Sequence, residues 1–160
     1  NGYEIVRKVV VGGQQRQDSV YNGFHALEGS TEIVVVHDGV RPFTTPQMIA
    51  DTVETAKHHG AAITAIPVCD TIKKVSDGFV ERTVPRDGLW RVQTPQAFQY
   101  EILQKAFEKA TADSYYGTDE GALVEYLGGQ VKIVSGSELN IKITRKEDLI
   151  LGESLLSAVK

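Results

Sequence analysis

Ile33-Val34-Val35-Val36-His37-Asp38-Gly39-Val40-Arg41-Pro42 is the stretch that decides the fold. Four consecutive β-branched residues between polar segments mark a strand buried on both faces, as in a parallel sheet covered by helices. Downstream, Thr45-Pro46 opens a helix with proline in its first turn, Ile49, Val53 and Ala56 line one helical face, and Gly60 stops it. A further strand is expected at Ala61 to Pro67. Upstream, the strand-like run from Ile5 to Val11 ends at the Gly12-Gly13 turn, and Ser19, Val20, Phe24 and Leu27 continue at helical spacing. Alternation of strand and helix calls for right-handed crossovers and an α/β fold: a Rossmann-like, mostly parallel sheet with helices on both faces.

The second half keeps this rhythm with one interruption. Ile72, Val75 and Val80 flank Ser76-Asp77-Gly78, an Asp-Gly turn between short extended runs, which predicts a projecting β-hairpin arm over approximately residues 71–84. After Trp90 to Gln93, the residues Ile102, Leu103, Ala106, Phe107 and Ala110 recur at helical spacing. Thr118 is expected to cap a short helix ending at Gly128-Gly129, and Val131 to Val134 to return as a strand. Thr144-Arg145-Lys146-Glu147 has capping-box spacing and opens a last helix whose Leu149, Gly152, Leu156 and Val159 would face the sheet. With no repeat, linker or low-complexity tract, residues 1–160 are read as a single domain.

Composition bounds the function. Hydrophobic residues at 41% and charged residues at 24% exclude a disordered or collagenous chain. A net charge of -4 argues against a broad cationic surface for nucleic acid or anionic lipid, so any phosphate is held locally. Cys69 is the only cysteine, which excludes an intramolecular disulfide and a multi-thiolate metal site. It is read as a small buried residue, and a cytoplasmic location fits best. No apolar run approaches the roughly 20 residues that span a bilayer.

The chemistry collects where strands end. Asp38 follows the strand at Ile33 to Val36, the place where open α/β sheets bind ligands. A carboxylate there can hold Mg²⁺ or a ribose hydroxyl, and Arg41 offers a planar fork for phosphate oxygens; a turn start with a solvated arginine is equally open on position alone. Gly12-Gly13-Gln14-Gln15-Arg16 lies at a second strand end before a helix, yet matches neither the dinucleotide fingerprint nor the P-loop. Further polar groups stand at Arg82 and Arg86, at Gln93-Thr94-Pro95-Gln96, and at Lys142, which alternates with Ile141 and Ile143 as on a strand. Thr118-Asp119-Glu120 is explained as well by a helix start as by a ligand site. The four histidines form no metal cluster, and no nucleophile elbow or Cys–His pair is legible.

Taken in order, Val10-Val11-Gly12-Gly13, Arg16 with Asp18-Ser19-Val20, His37-Asp38-Gly39-Val40-Arg41-Pro42, Asp70-Thr71-Ile72-Lys73, Leu89-Trp90, Gln93-Thr94-Pro95-Gln96, Thr118-Asp119-Glu120 and Asn140-Ile141-Lys142 form one pattern. With these eight motifs the chain resembles the 2-C-methyl-D-erythritol 4-phosphate cytidylyltransferase family along essentially its whole length. The resemblance implies a nucleotidyltransferase-like fold and transfer of CMP from CTP to the sugar-alcohol phosphate with Mg²⁺, releasing pyrophosphate, in the non-mevalonate route to isoprenoids. It implies that Gly13, Gln14 and Ser19 bind cytosine, although an acidic residue is common at Gln14. Asp38 and Gly39 would hold ribose and metal, Lys142 the α-phosphate, and Arg41, Thr71, Arg86, Thr94 and Thr118 the acceptor phosphate. It further implies a homodimer through the arm, with Arg86 serving the partner subunit's site. Two alternatives accompany it: a ribitol 5-phosphate cytidylyltransferase, and a non-catalytic module binding cytidine nucleotides or sugar phosphates. The family's first strand and its glycine-rich triphosphate loop find no match here, so the expectation is an N-terminally truncated domain, feeble or inactive alone.

Overall fold

In a computed structural model, which describes residues 5–158, the elements follow in the order α1 (Arg16–His25), β1 (Ile33–Val36), α2 (Pro46–His59), β2 (Ala61–Pro67), β3 (Ile72–Ser76), β4 (Phe79–Val84), β5 (Trp90–Gln99), α3 (Tyr100–Ala112), α4 (Glu120–Leu127), β6 (Lys132–Ser135) and α5 (Lys146–Ala158). The main sheet has the order β1-β5-β2-β6. β6 is parallel to β2, and β5 is antiparallel to both β1 and β2, so β1, β2 and β6 point one way with β5 reversed among them. Three strands therefore run as expected. The expectation of mostly parallel pairing is corrected, because the reversed β5 makes two of the three ladders antiparallel.

Alternation along the strands sorts the core into two layers. Val34, Ala61, Ile63 and Phe98 meet Phe24 of α1, Leu103 and Phe107 of α3, and Leu123 and Val124 of α4 on one face. Ile33, Ala62, Ala97 and Val134 meet Val53 and Ala56 of α2 on the other. Alanines at 56, 62 and 97 let α2 lie close to the sheet, while the aromatic residues fill the thicker layer. Thr45 caps α2 by accepting from Met48 N, and Gly60 ends it at φ 87°, a conformation only glycine adopts without strain. An added Cβ at Gly60 would also stand 2.5 Å from Ile102 Cδ1.

β3 and β4 form a separate two-stranded sheet, the arm foreseen over residues 71–84. Its tip places Asp77 and Gly78 at φ 50° and 83°, consecutive left-handed residues that match the twist of a hairpin. Val75, Phe79 and Val80 stand exposed on it.

Several expectations are corrected. The expected strand at Ile5 to Val11 does not form: β-branched composition favours an extended ladder only where a neighbouring strand takes up its backbone groups, and no described strand pairs with these residues. The cap of α4 is Asp119, whose carboxylate accepts from Ala122 N, rather than Thr118. At α5 the acid reaching back is Asp148, which accepts from Thr144 N, Thr144 Oγ1 and Arg145 N, rather than Glu147. Gly152 packs close to Ile143 and Phe43, which are loop residues rather than the sheet, and Leu149 and Leu156 are exposed, so the expected sheet-facing side of α5 is corrected. Val159 lies outside the described residues. Cys69 is exposed, because the chain leaves β2 at Pro67 to enter the arm.

Candidate functional site

β1 ends at Val36 beside Gln96, in the interior of the antiparallel β5, and the loop after β6 closes over this junction. Between these and the starts of α1 and α4 lies a cleft of about 230 Å³ lined by Arg16, Asp38, Arg41, Val92, Gln93, Thr94, Gln96, Thr118, Asp119 and Lys142. Of the residues singled out in the sequence, Asp38, Arg41, Thr94, Thr118 and Lys142 thus share one space.

Asp38 is its electrostatic centre. Lys142 Nζ stands 3.1 Å and Arg41 Nε 3.2 Å from its Oδ2. Burial alone would raise the Asp38 carboxyl, but hydrogen bonds and attraction from Lys142 and then Arg41 outweigh it and hold the group below the ordinary carboxylate range. Arg41 also donates to the carbonyl of Asn140 at 2.6 Å, and its backbone N–H closes the turn onto the Asp38 carbonyl. Thr94 Oγ1 accepts from Asp38 N at 3.0 Å and stands 3.0 Å from His37 Nδ1, so the hydroxyl joins the end of β1 to the middle of β5.

Lys142 lies on an extended loop, not on a strand as its alternation predicts. The alternation of exposure survives: Ile141 and Ile143 are half-buried, Lys142 is 42% exposed in its side chain, and Ile143 N donates to the carbonyl of Val40. What holds this loop is Asn140, which is fully buried. Its amide donates to the Thr94 carbonyl at 2.9 Å and to Gln93 Oε1 at 3.3 Å, and its Oδ1 accepts from Thr44 Oγ1 at 2.8 Å. Gln96 does the same for α4, donating to Asp119 Oδ2 at 2.8 Å and accepting from Gly121 N at 3.3 Å. Thr118 is exposed, and its hydroxyl makes no hydrogen bond among the described residues.

The remaining candidates stand outside the cleft wall. Gly13 makes the tight turn into α1, where a Cβ would fall 2.1 Å from that of Asp18. Its N–H donates to Ser19 Oγ, and the Ser19 hydroxyl in turn donates to the Gln15 carbonyl. Gln14 and Gly39 are exposed, the latter in the Asp38–Arg41 turn. Thr71 and Arg86 lie at the base of the arm, where the Arg86 guanidinium donates to the carbonyl of Cys69. The structure does not bring these two into the cleft of their own chain.

Sequence reasoning quoted Arg16, Gln93, Gln96, Asp119, Glu120 and Asn140 within motifs but gave them no place in the site. The signal was their position beside Asp38, Thr94, Thr118 and Lys142. As for a metal, the described residues contain no group of three His, Cys, Asp or Glu side chains. Among the described residues Asp38 Oδ1 makes no hydrogen bond, while Oδ2 lies nearest to both cations. One hard carboxylate oxygen fits Mg²⁺ held jointly with substrate phosphates, and does not fit an all-protein cage.

A model of the 2-C-methyl-D-erythritol 4-phosphate cytidylyltransferase family matches residues 4–158. The protein of that name from Syntrophus aciditrophicus is 51% identical over 152 residues, covering 94% of this chain and 65% of the relative. That from Pelotomaculum thermopropionicum is 52% identical over 158 residues, covering 98% and 66%. The chain spans about two thirds of the length of these curated relatives. The crystal structure of the Thermus thermophilus protein of the same name matches with a TM-score of 0.85 at 37% identity, over 91% of this chain and 71% of that one. The Francisella tularensis structure gives a TM-score of 0.85 at 35% identity, over 95% and 74%. The central sheet with helices on both faces is the fold of these structures.

Proposed function

The chain belongs to the 2-C-methyl-D-erythritol 4-phosphate cytidylyltransferase family, and we propose that it transfers CMP from CTP to 2-C-methyl-D-erythritol 4-phosphate, releasing pyrophosphate, in isoprenoid precursor biosynthesis. The observation that carries this reading is the convergence of Asp38, Arg41, Thr94, Thr118 and Lys142 from distant stretches onto one cleft. An acceptor phosphate is already nucleophilic near neutral pH, so the reaction needs no general base. Its barrier is the approach of two anions and their alignment in line.

The residue types suit that task. An acceptor oxygen bonds to the α-phosphorus as the bond to the β-phosphate oxygen breaks, and Lys142 would hold the charge that grows on the α-phosphate. Gly13, Gln14 and Ser19 would frame the cytosine beside the cleft, with Asp38 and Gly39 at the ribose. Arg41, Thr94 and Thr118 would hold the acceptor phosphate. Asp38 would hold Mg²⁺, which when bound would supply positive charge against the phosphates. The proposal extends to a cytoplasmic homodimer joined through the arm, whose Phe79 is 80% exposed. Thr71 and Arg86 at the arm base would then serve the partner subunit's cleft, which gives a reason for their distance from their own.

The test is Mg²⁺-dependent pyrophosphate release from CTP with 2-C-methyl-D-erythritol 4-phosphate or ribitol 5-phosphate as acceptor. Slow release with the first alone is expected. Release with ribitol 5-phosphate alone, or with neither, overturns the catalytic reading.

A further inference from the structure

Three cations line the cleft, and they are held differently. Arg41 is nearly buried, at 10% side-chain exposure, with its guanidinium on Asp38 and on the Asn140 carbonyl. Lys142 is tied to the same Asp38 oxygen from the opposite loop. Arg16 is anchored from behind: its two terminal nitrogens donate to the two carboxylate oxygens of Glu120 at 2.7 and 2.8 Å. Glu120 is fully buried, whereas the Arg16 side chain is 39% exposed and lines the cleft. The hydrogen bond to Glu120 outweighs partial burial and raises the pKa of Arg16, so its charge is permanent.

A buried carboxylate paired on both oxygens fixes the plane of the guanidinium that faces it. Such a pair is weak evidence for stability, because well-packed apolar residues usually stabilise a fold as well. Orientation is what it provides. The pair joins residues 104 apart in sequence, the first of α1 and the first of α4, at one side of the cleft. A guanidinium has five N–H donors; with two on Glu120, the other three make no hydrogen bond among the described residues. A fixed cation with open donors beside Lys142 and Asp38 is prepared for an anionic oxygen, and binding to it loses little side-chain freedom.

We propose that Arg16 contacts a substrate phosphate in this cleft and that Glu120 is the positioning residue that holds its guanidinium. This rests on the cytidylyltransferase reading. Two sources offer the same chemistry, the triphosphate of CTP and the phosphate of the acceptor, and the experiment separates them.

Calorimetric titrations with CTP, cytidine and 2-C-methyl-D-erythritol 4-phosphate would compare the parent chain, Glu120→Gln, and the double variant Arg16→Gln with Glu120→Gln, which strands no buried charge. The double variant is expected to keep its circular dichroism and its affinity for cytidine. It should lose about tenfold to a hundredfold for whichever phosphate ligand Arg16 contacts. Glu120→Gln, which keeps the cation but loosens it, should fall between. Unchanged phosphate affinities overturn the proposal, as does equal weakening of CTP and cytidine, the mark of a purely structural pair. If the double variant does not fold, Arg16→Lys keeps the charge without the fork. Weaker phosphate binding with cytidine unchanged would then support the proposal, and no change would overturn it. A parent chain that binds neither CTP nor the acceptor overturns the function reading and this proposal with it.

Discussion

Replacing Asn140 by alanine should unlatch the loop that carries Lys142. The side chain supplies two strong buried bonds, to the Thr94 carbonyl at 2.9 Å and from Thr44 Oγ1 at 2.8 Å, and a weaker one to Gln93 Oε1 at 3.3 Å. After truncation Gln93 Oε1 still has Ser137 N at 3.3 Å, and Thr44 keeps only a 3.3 Å bond to the Arg41 carbonyl. Buried groups left short of a partner cost about 1–3 kcal/mol each, which for the two strong bonds gives a loss of about 2–6 kcal/mol. The bond from Arg41 to the Asn140 carbonyl is to backbone and survives in the variant. In a urea titration with a slope near 2 kcal/mol/M, the midpoint should fall by about 1–3 M with the slope unchanged. A midpoint shifted by less than about 0.25 M, the behaviour of a surface substitution, would refute the claim that Asn140 latches the loop.

Other outcomes follow from particular contacts. Asp38 has its pKa lowered in the fold, so its contribution to stability is fully present above the unfolded carboxylate value of about 3.9 and is lost as pH falls through the folded value. The parent and Asp38→Asn should therefore differ in urea midpoint at pH 7 and converge as pH falls through the lowered folded value; a constant gap would contradict the pairing with Lys142 and Arg41. Gly60→Ala should destabilise by more than about 1 kcal/mol by urea titration, since the position needs positive φ and the new methyl meets Ile102; a neutral effect would deny the strain. In the proposed arm-joined dimer, Phe79→Glu should leave a monomer in sedimentation while circular dichroism stays the same; an unaltered assembly would exclude the arm as the joint.

How far the sequence was legible depends on how each segment earns its conformation. Ala61–Pro67 is an apolar strand covered on both faces, Ile33–Val36 is a strand as its β-branched run predicts but lies at the sheet edge with Val35 exposed, and the arm turns on Asp77-Gly78; the strand or turn itself is in each case decided by local residue type. β5 was illegible because its buried residues include Gln93, Thr94 and Gln96, whose burial is compensated by partners from Asp119, Ser137 and Asn140 far along the chain. A strand stabilised by side-chain hydrogen bonds shows no apolar alternation. Residues 6–11 and α5 misled in the opposite sense, since β-branched or amphipathic patterning promises burial only where a partner surface is present. Within the site, Asp38 was visible at a strand end, whereas Glu120 carries the ordinary signature of an acid in a first helical turn. Its pairing with Arg16 is a tertiary fact.

The central claim is that the cleft around Asp38 and Lys142 receives CTP. Backbone amide shifts of the nitrogen-15-labelled chain, followed during titration with CTP and Mg²⁺, test it most directly. The account predicts that the perturbed amides cluster at Gly13 to Ser19, His37 to Gly39 and Asn140 to Ile143. Perturbations confined to another concavity, such as that between Lys57 and Gln99 to Gln104, with those three segments silent, would contradict it.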